Sequence, residues 1–154
     1  MKSKEDELLD CLATYESADL ELLPAVPIGV AQLQQLSPAT LAYLGDAVYE
    51  LYMRNYYLYP PKRLQTYHRL VVAQVKAETQ ALHLLSLTPH LNGAELEVVR
   101  RGRNAATGKP RRVEPEIYQQ ATSLETLIGY LHLTDRGRLL QLLKKLKLEP
   151  HLEE

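Results

Sequence analysis

The sequence predicts an all-α domain. Apolar residues recur at three- and four-residue steps through most of the chain, and no segment shows the strict alternation of a half-buried strand. Prolines and glycines fall between the periodic segments, where helices stop and start.

Residues 1–31 read as an acidic extension. "EDELLDCLATYE" is a short amphipathic stretch, and "LPAVPIGV" breaks it with Pro24 and Pro27. The compact domain is expected over residues 32–150. Its first long helix is "LSPATLAYLGDAVYELYMRNYYLYP", with Ser37 as N-cap, Pro38 at the first helical position, and Pro60 and Pro61 as the stop. "LQTYHRLVVAQVKAETQALHLLSL" is expected to be a second long helix, stopped near Pro89. Asn92 and Gly93 lead into a short helix, "NGAELEVVRRGRNA". A basic loop follows, whose two glycines and two prolines over residues 100–115 argue against continuous helix. "EIYQQATSLETLIGYLHLT" is a third long helix, and "DRGRLLQLLKKLKLE" a basic amphipathic one.

Composition narrows the function classes. The 154 residues suit one core, and 45% apolar with 24% charged residues is ordinary globular usage. No run approaches the ~18 apolar residues of a membrane span, and the N-terminus lacks a secretory h-region. The single Cys11 has no internal partner, so a reducing cytoplasm is expected. No pair of the five histidines has zinc-ligand spacing, so a zinc site is not expected.

Two acids stand out. In the first long helix, Leu41, Leu44, Val48 and Leu51 form one apolar stripe, and Asp46 lies opposite with Ala42, Tyr43 and Tyr49 around it. A helix apolar on both sides is central to its fold or covered by a partner. Gly45 costs about 1 kcal/mol relative to Ala in a helix, which points to close approach by a backbone or a ligand. In the third long helix, Ile117, Ala121, Leu124, Ile128 and Leu131 form a tight stripe, with Glu125 at its edge. One reading is structural: each acid pairs with Lys or Arg, or caps a loop. The other is a shared hard-metal site, because adjacent carboxylates repel unless a cation joins them and Mg2+ suits one or two carboxylates with waters and phosphate oxygens.

These residues resemble a known family. "YLGDAVYELYM" is similar to the ribonuclease III signature, and "TSLETLIGYLHL" to that family's second motif. "YHRLVVAQVKAETQALHLL" resembles its middle helix, and "VVRRGRNA" is similar to the Mini-III branch, a catalytic domain without a double-stranded-RNA-binding domain. The resemblance implies a ribonuclease III-type helical domain, a homodimer, and Mg2+-dependent endonucleolytic cleavage of double-stranded RNA. The branch implies maturation of large-subunit (23S) ribosomal RNA precursor ends, for which a ribosomal protein could act as helper. Asp46 and Glu125 fall at the motif positions of metal ligands and would be the catalytic pair. Ala42 and Thr122 stand where the larger enzymes carry two further acids, as they do in the Mini-III branch, which leaves the number of metals open. Glu50 has no motif match; an ion pair with Arg54 one turn on is its expected role.

Residues 100–115 carry six Lys or Arg and one Glu, while the rest of the chain holds 12 basic against 18 acidic residues. A basic segment on an acidic protein is an electrostatic footprint for a polyanion. Arg101, Arg103, Lys109, Arg111 and Arg112 suit RNA phosphates, and Asn104 a base edge or 2′-hydroxyl. The tyrosines at 49, 52, 56, 57 and 59 are read as core or interface, since duplex RNA offers no unstacked bases. Two other readings compete with the enzyme: a catalytically silent RNA-binding or ribosome-associated protein on the same fold, and a helical interaction module using the acidic N-terminus.

Overall fold

The computed structural model describes residues 26–106 and 112–150. The "EDELLDCLATYE" stretch, Cys11, Lys109 and Arg111 lie outside them. Among the described residues there is no strand. Helices run α1 (Val30–Gln34), α2 (Pro38–Tyr57), α3 (Leu64–Val75), α4 (Ala77–Leu87), α5 (Gly93–Ala105), α6 (Pro115–Thr134) and α7 (Arg136–Leu143), with a 3-10 turn at Thr88–His90. No helix among them is long and apolar enough to cross a membrane.

The ends follow the side chains. Ser37 Oγ accepts from the Thr40 amide at 3.1 Å, and Pro38 opens α2. Asn92 and Glu95 form a reciprocal capping box at α5, with bonds of 2.9 and 3.0 Å. Asp135 caps α7 through the Arg138 amide at 3.0 Å.

The second long helix is two helices. Lys76 is extended (φ −66°, ψ 150°) between α3 and α4. Local propensity does not force this break; side chains make it tolerable. Thr79 Oγ1 donates to the Ala73 carbonyl at 2.6 Å, and Gln80 Nε2 donates to that of Val75 at 2.9 Å. Two carbonyls orphaned at the end of α3 are thereby satisfied.

Helix α6 is the centre, packed against α2, α4, α5 and α7. Ala121, Leu124, Ile128 and Leu131 of the expected stripe are buried, and so are Ser123, Thr126, Leu127 and Gly129. On α2 the leucine stripe is only partly covered. Leu41 is buried, but Leu44 and Val48 are only half-buried and Leu51 is 44% exposed. The core face is instead Ala42, Gly45, Tyr49, Met53 and Tyr57. Its small residues let the α6 backbone come close, and that contact outcompetes a ridge of leucines. Tyr49 and Tyr57 are fully buried core residues, whereas Tyr56 and Tyr59 are exposed.

A buried charge pins the outer helices. Glu95, 2% exposed, takes a two-pronged grip from Arg138, with both bonds at 2.9 Å. Arg138 also donates to the His90 carbonyl at 2.7 Å, so α5, α7 and the 3-10 turn share one guanidinium. Its bonds hold the Glu95 carboxyl below the usual carboxylate range.

Candidate active site

Two glycines set the site. A Cβ on Gly45 would overlap the carbonyl oxygen of Glu125, lying 2.7 Å from its carbon and 2.8 Å from the Gly129 amide nitrogen. A Cβ on Gly129 would overlap the Leu41 carbonyl in the same way. The helices α2 and α6 therefore cross backbone to backbone, and the close approach that the sequence asks of Gly45 is made by the peptide of Glu125. Asp46 follows Gly45, so the crossing itself brings the two acids together.

The electrostatics follow from that geometry. The Glu125 carboxyl is pushed up to about 7, first by burial and then by the Asp46 charge, with the Gln80 side chain pulling the other way. Asp46 is an exposed residue, yet its carboxyl is raised too, by partial burial and by Glu50. Among the described residues neither acid forms an ion pair with Lys or Arg. Glu50 does pair with Arg54, at 2.7 Å, as expected. The donor set fits a hard divalent cation: two carboxylates, of which Asp46 raises the proton affinity of Glu125, a set that waters and phosphate oxygens can complete.

Behind the acids lies a buried polar layer that the sequence did not reveal. Tyr49 OH donates to the Gln74 carbonyl at 2.6 Å and meets His83 Nδ1 at 2.8 Å. Burial lowers the His83 pKa, which keeps that ring neutral as a core histidine. Gln80 of α4, also buried, faces Glu125. Nothing in a lone glutamine within a helical pattern marks it; only the break at Lys76 and the packing of α4 on α6 place it there.

A raised carboxyl couples folding to pH. Folded Glu125 holds its proton to about pH 7, whereas its ordinary value is 4.5. The group's contribution is thus fully present below 4.5 and is lost as pH rises to about 7. Metal-free Glu125→Gln is expected to be more stable than the parent at pH 8, by about 2 kcal/mol at 1.4 kcal/mol per unit less a discount for partial exposure. Urea unfolding in EDTA at pH 8 and pH 4 checks this; equal gaps at the two pH values would refute it.

The basic residues divide between the expected short helix and the segment that follows it. Helix α5 continues to Ala105, so Arg101, Arg103 and Asn104 ride its last turns, all exposed. The capping box and the contact of Gly102 with α6 carry the helix through "RRGRNA": a Cβ on Gly102 would stand 2.6 Å from Thr126 Oγ1 and 3.2 Å from Ser123 Cα. Arg101 and Arg103 flank that contact, within a turn of Glu125 along α6. Arg103 is 4.0 Å from Glu116, a loose surface pair, and Arg112 is exposed before α6.

The chain is similar to known proteins over most of this domain. Residues 39–136 match the ribonuclease III domain family. A Mini-ribonuclease 3 of Synechocystis sp. is 57% identical over 122 residues, covering 79% of this chain and 85% of that protein. That of Thermosynechococcus vestitus is 48% identical, covering 82% and 83%. A crystal structure of a protein from Fusobacterium nucleatum is similar at a TM-score of 0.67 and 31% identity, over 71% of this chain and 91% of that one.

Proposed function

The chain belongs to the ribonuclease III family and is an endoribonuclease, and from that premise we propose that it cleaves double-stranded RNA with Mg2+ held by Asp46 and Glu125. The observation that carries the reading is the Gly45–Glu125 crossing, which brings Asp46 and Glu125 to one point of the central helices, neither in an ion pair among the described residues. When bound, the cation would activate water and stabilise charge on the phosphodiester oxygens. The chain's own part is to fix both carboxylates on helices that cannot slide apart. The Mini-ribonuclease 3 relatives favour the enzyme over the catalytically silent reading. The test is purified protein on a long RNA duplex, with Mg2+ and with EDTA. Cleavage of single strands alone, or full cleavage in EDTA, would defeat the proposal.

The substrate we propose is the duplex that closes the ends of large-subunit (23S) ribosomal RNA precursors, met in the cytoplasm, with a ribosomal protein as helper. The Mini-ribonuclease 3 likeness supports this over other duplexes. Precursor accumulating uncut in cells that lack the protein, and restored by the parent but not by Asp46→Asn, is the expected result.

We also propose a symmetric homodimer, each subunit cutting one strand. The second face of α2 supports it: Tyr43 is 85% exposed and Leu51 44%, with Leu44 and Val48 only half covered. An apolar face of this kind on a central helix suits a two-fold partner. Sedimentation should give a dimer at micromolar concentration; a fully active monomer would overturn it.

RNA contact is assigned to Arg101, Arg103, Asn104, Lys109, Arg111 and Arg112. Replacing Arg101, Arg103, Arg111 and Arg112 by Ala should weaken duplex binding and flatten the salt dependence of log K by about 0.7–0.9 for each phosphate no longer neutralised. Binding by a noncleaving Asp46→Asn protein across a salt series measures it. Coincident lines would mean the segment is only solvated.

A further inference from the structure

The basic stretch near the C-terminus builds a cavity that includes neither acid. Helix α7 ends at Leu143, and "KKLKLE" runs on from it as a strap. Leu146 is buried and Leu148 packs against the core, while Lys145, Lys147 and Glu149 between and after them are exposed. Tyr57 OH donates to the Glu149 carbonyl at 2.9 Å and ties the strap down. Lys145, Lys147 and Glu149 line a cavity of about 570 Å3, together with Lys76 from the break between α3 and α4 and with Leu82 and His83 of α4. That volume lies within the roughly 300–1,000 Å3 of small-ligand sites. The three lysines form no ion pair among the described residues.

His83 adds a polar group of opposite character. The ring is only 6% exposed, and its Nδ1 is 2.8 Å from Tyr49 OH. The Tyr49 proton goes to the Gln74 carbonyl, which can only accept. His83 Nδ1 must therefore donate to the Tyr49 oxygen. In a ring kept neutral by burial, Nε2 then carries a lone pair. Nε2 has no hydrogen-bond partner among the described residues, and the ring lines the cavity. The lining thus combines three cations with two acceptors, His83 Nε2 and the Glu149 carboxylate, and an apolar side chain, Leu82. A bare anion would use the lysines and leave both acceptors unmet.

We propose that this cavity binds a nucleoside phosphate, its phosphate held by Lys76, Lys145 and Lys147, its ribose hydroxyls or base N–H groups donating to His83 and Glu149, and its base lying against Leu82. The site shares no residue with the Asp46–Glu125 pair and stands whether or not that pair holds a cation. An unpaired nucleotide at the end of an RNA strand offers the same chemistry as a free one.

The experiment is calorimetry on the full-length protein in EDTA, with the four ribonucleoside monophosphates and diphosphates, and inorganic phosphate in parallel. At least one nucleotide is expected to bind about tenfold or more tightly than phosphate, as one further hydrogen bond to a charged group allows. The exposed double change Lys145→Ala with Lys147→Ala should weaken it by at least as much, and Asp46→Asn should leave it unchanged. The 15N resonance of His83 Nε2 should move on adding nucleotide and stay put on adding phosphate. Competition by a short single-stranded RNA with a terminal phosphate separates the sources: displacement marks a strand end as the ligand, and no displacement marks the free nucleotide. No nucleotide binding beyond that of phosphate, or affinity unchanged by the two lysine replacements, would overturn the proposal. So would equal displacement by a blunt duplex without terminal phosphates, which would make the cavity part of a backbone track.

Discussion

Asp46→Asn and Glu125→Gln each lower duplex cleavage by roughly 10³-fold or more, while the protein stays folded. Both changes keep the shape of the side chain and remove only its charge. Neither acid is held by an ion pair among the described residues, so no buried cation is stranded by its loss. Removing the Glu125 charge even relieves a carboxyl whose pKa burial and Asp46 push up to about 7. Stability is therefore expected to hold or rise as activity disappears, the opposite of what a core lesion does. Because the two acids are proposed to act as one cation site, the double variant should be scarcely worse than the poorer single one. Single-turnover cleavage in Mg2+, with melting curves alongside, measures both points. Near-parental cleavage by Asp46→Asn would remove the assignment.

The pair was legible because it is made of local signals. A solitary acid beside a helix glycine, and a second at the edge of an apolar stripe, can be read from one-dimensional periodicity. What supports the pair was not legible. The true core face of α2 runs through Ala42 and Gly45, since backbone contact with α6 buries more than the leucine ridge would. The break at Lys76 was hidden for a related reason: no Pro or Gly marks it, and the carbonyls it frees are met by Thr79 and Gln80, whose roles depend on where α4 packs. The burial of Glu95 has no local signal, because its partner Arg138 lies 43 residues away. The ends of helices with side-chain caps, at Ser37 and Asn92, were legible throughout, as the cap and the amide it satisfies lie three residues apart.

Gly45→Ala is expected to cost the protein both its stability and its site. Helix propensity alone would make alanine better here by about 1 kcal/mol. The added Cβ, however, would overlap the carbonyl oxygen of Glu125 and lie within 2.8 Å of the Gly129 nitrogen. Those atoms are backbone on a central helix, so no rotamer change can clear them. Helices α2 and α6 must move apart, and the net destabilisation should be about 3 kcal/mol or more, at the upper end of overpacking. Cleavage should fall even under conditions where the variant folds, because the same crossing sets Asp46 against Glu125. Gly129→Ala meets the Leu41 carbonyl across the same crossing and should behave alike. Once the helices have separated for one methyl group the second has less to displace, so the double variant should be destabilised by less than the sum. Gly93→Ala is the control, since a Cβ there meets nothing within 4 Å. It should leave stability within about 0.5 kcal/mol of the parent, as surface changes do. Urea unfolding and cleavage rates on the four variants decide the matter. A Gly45→Ala protein as stable and as active as the parent would mean that the crossing is loose, and that something else holds the two carboxylates together.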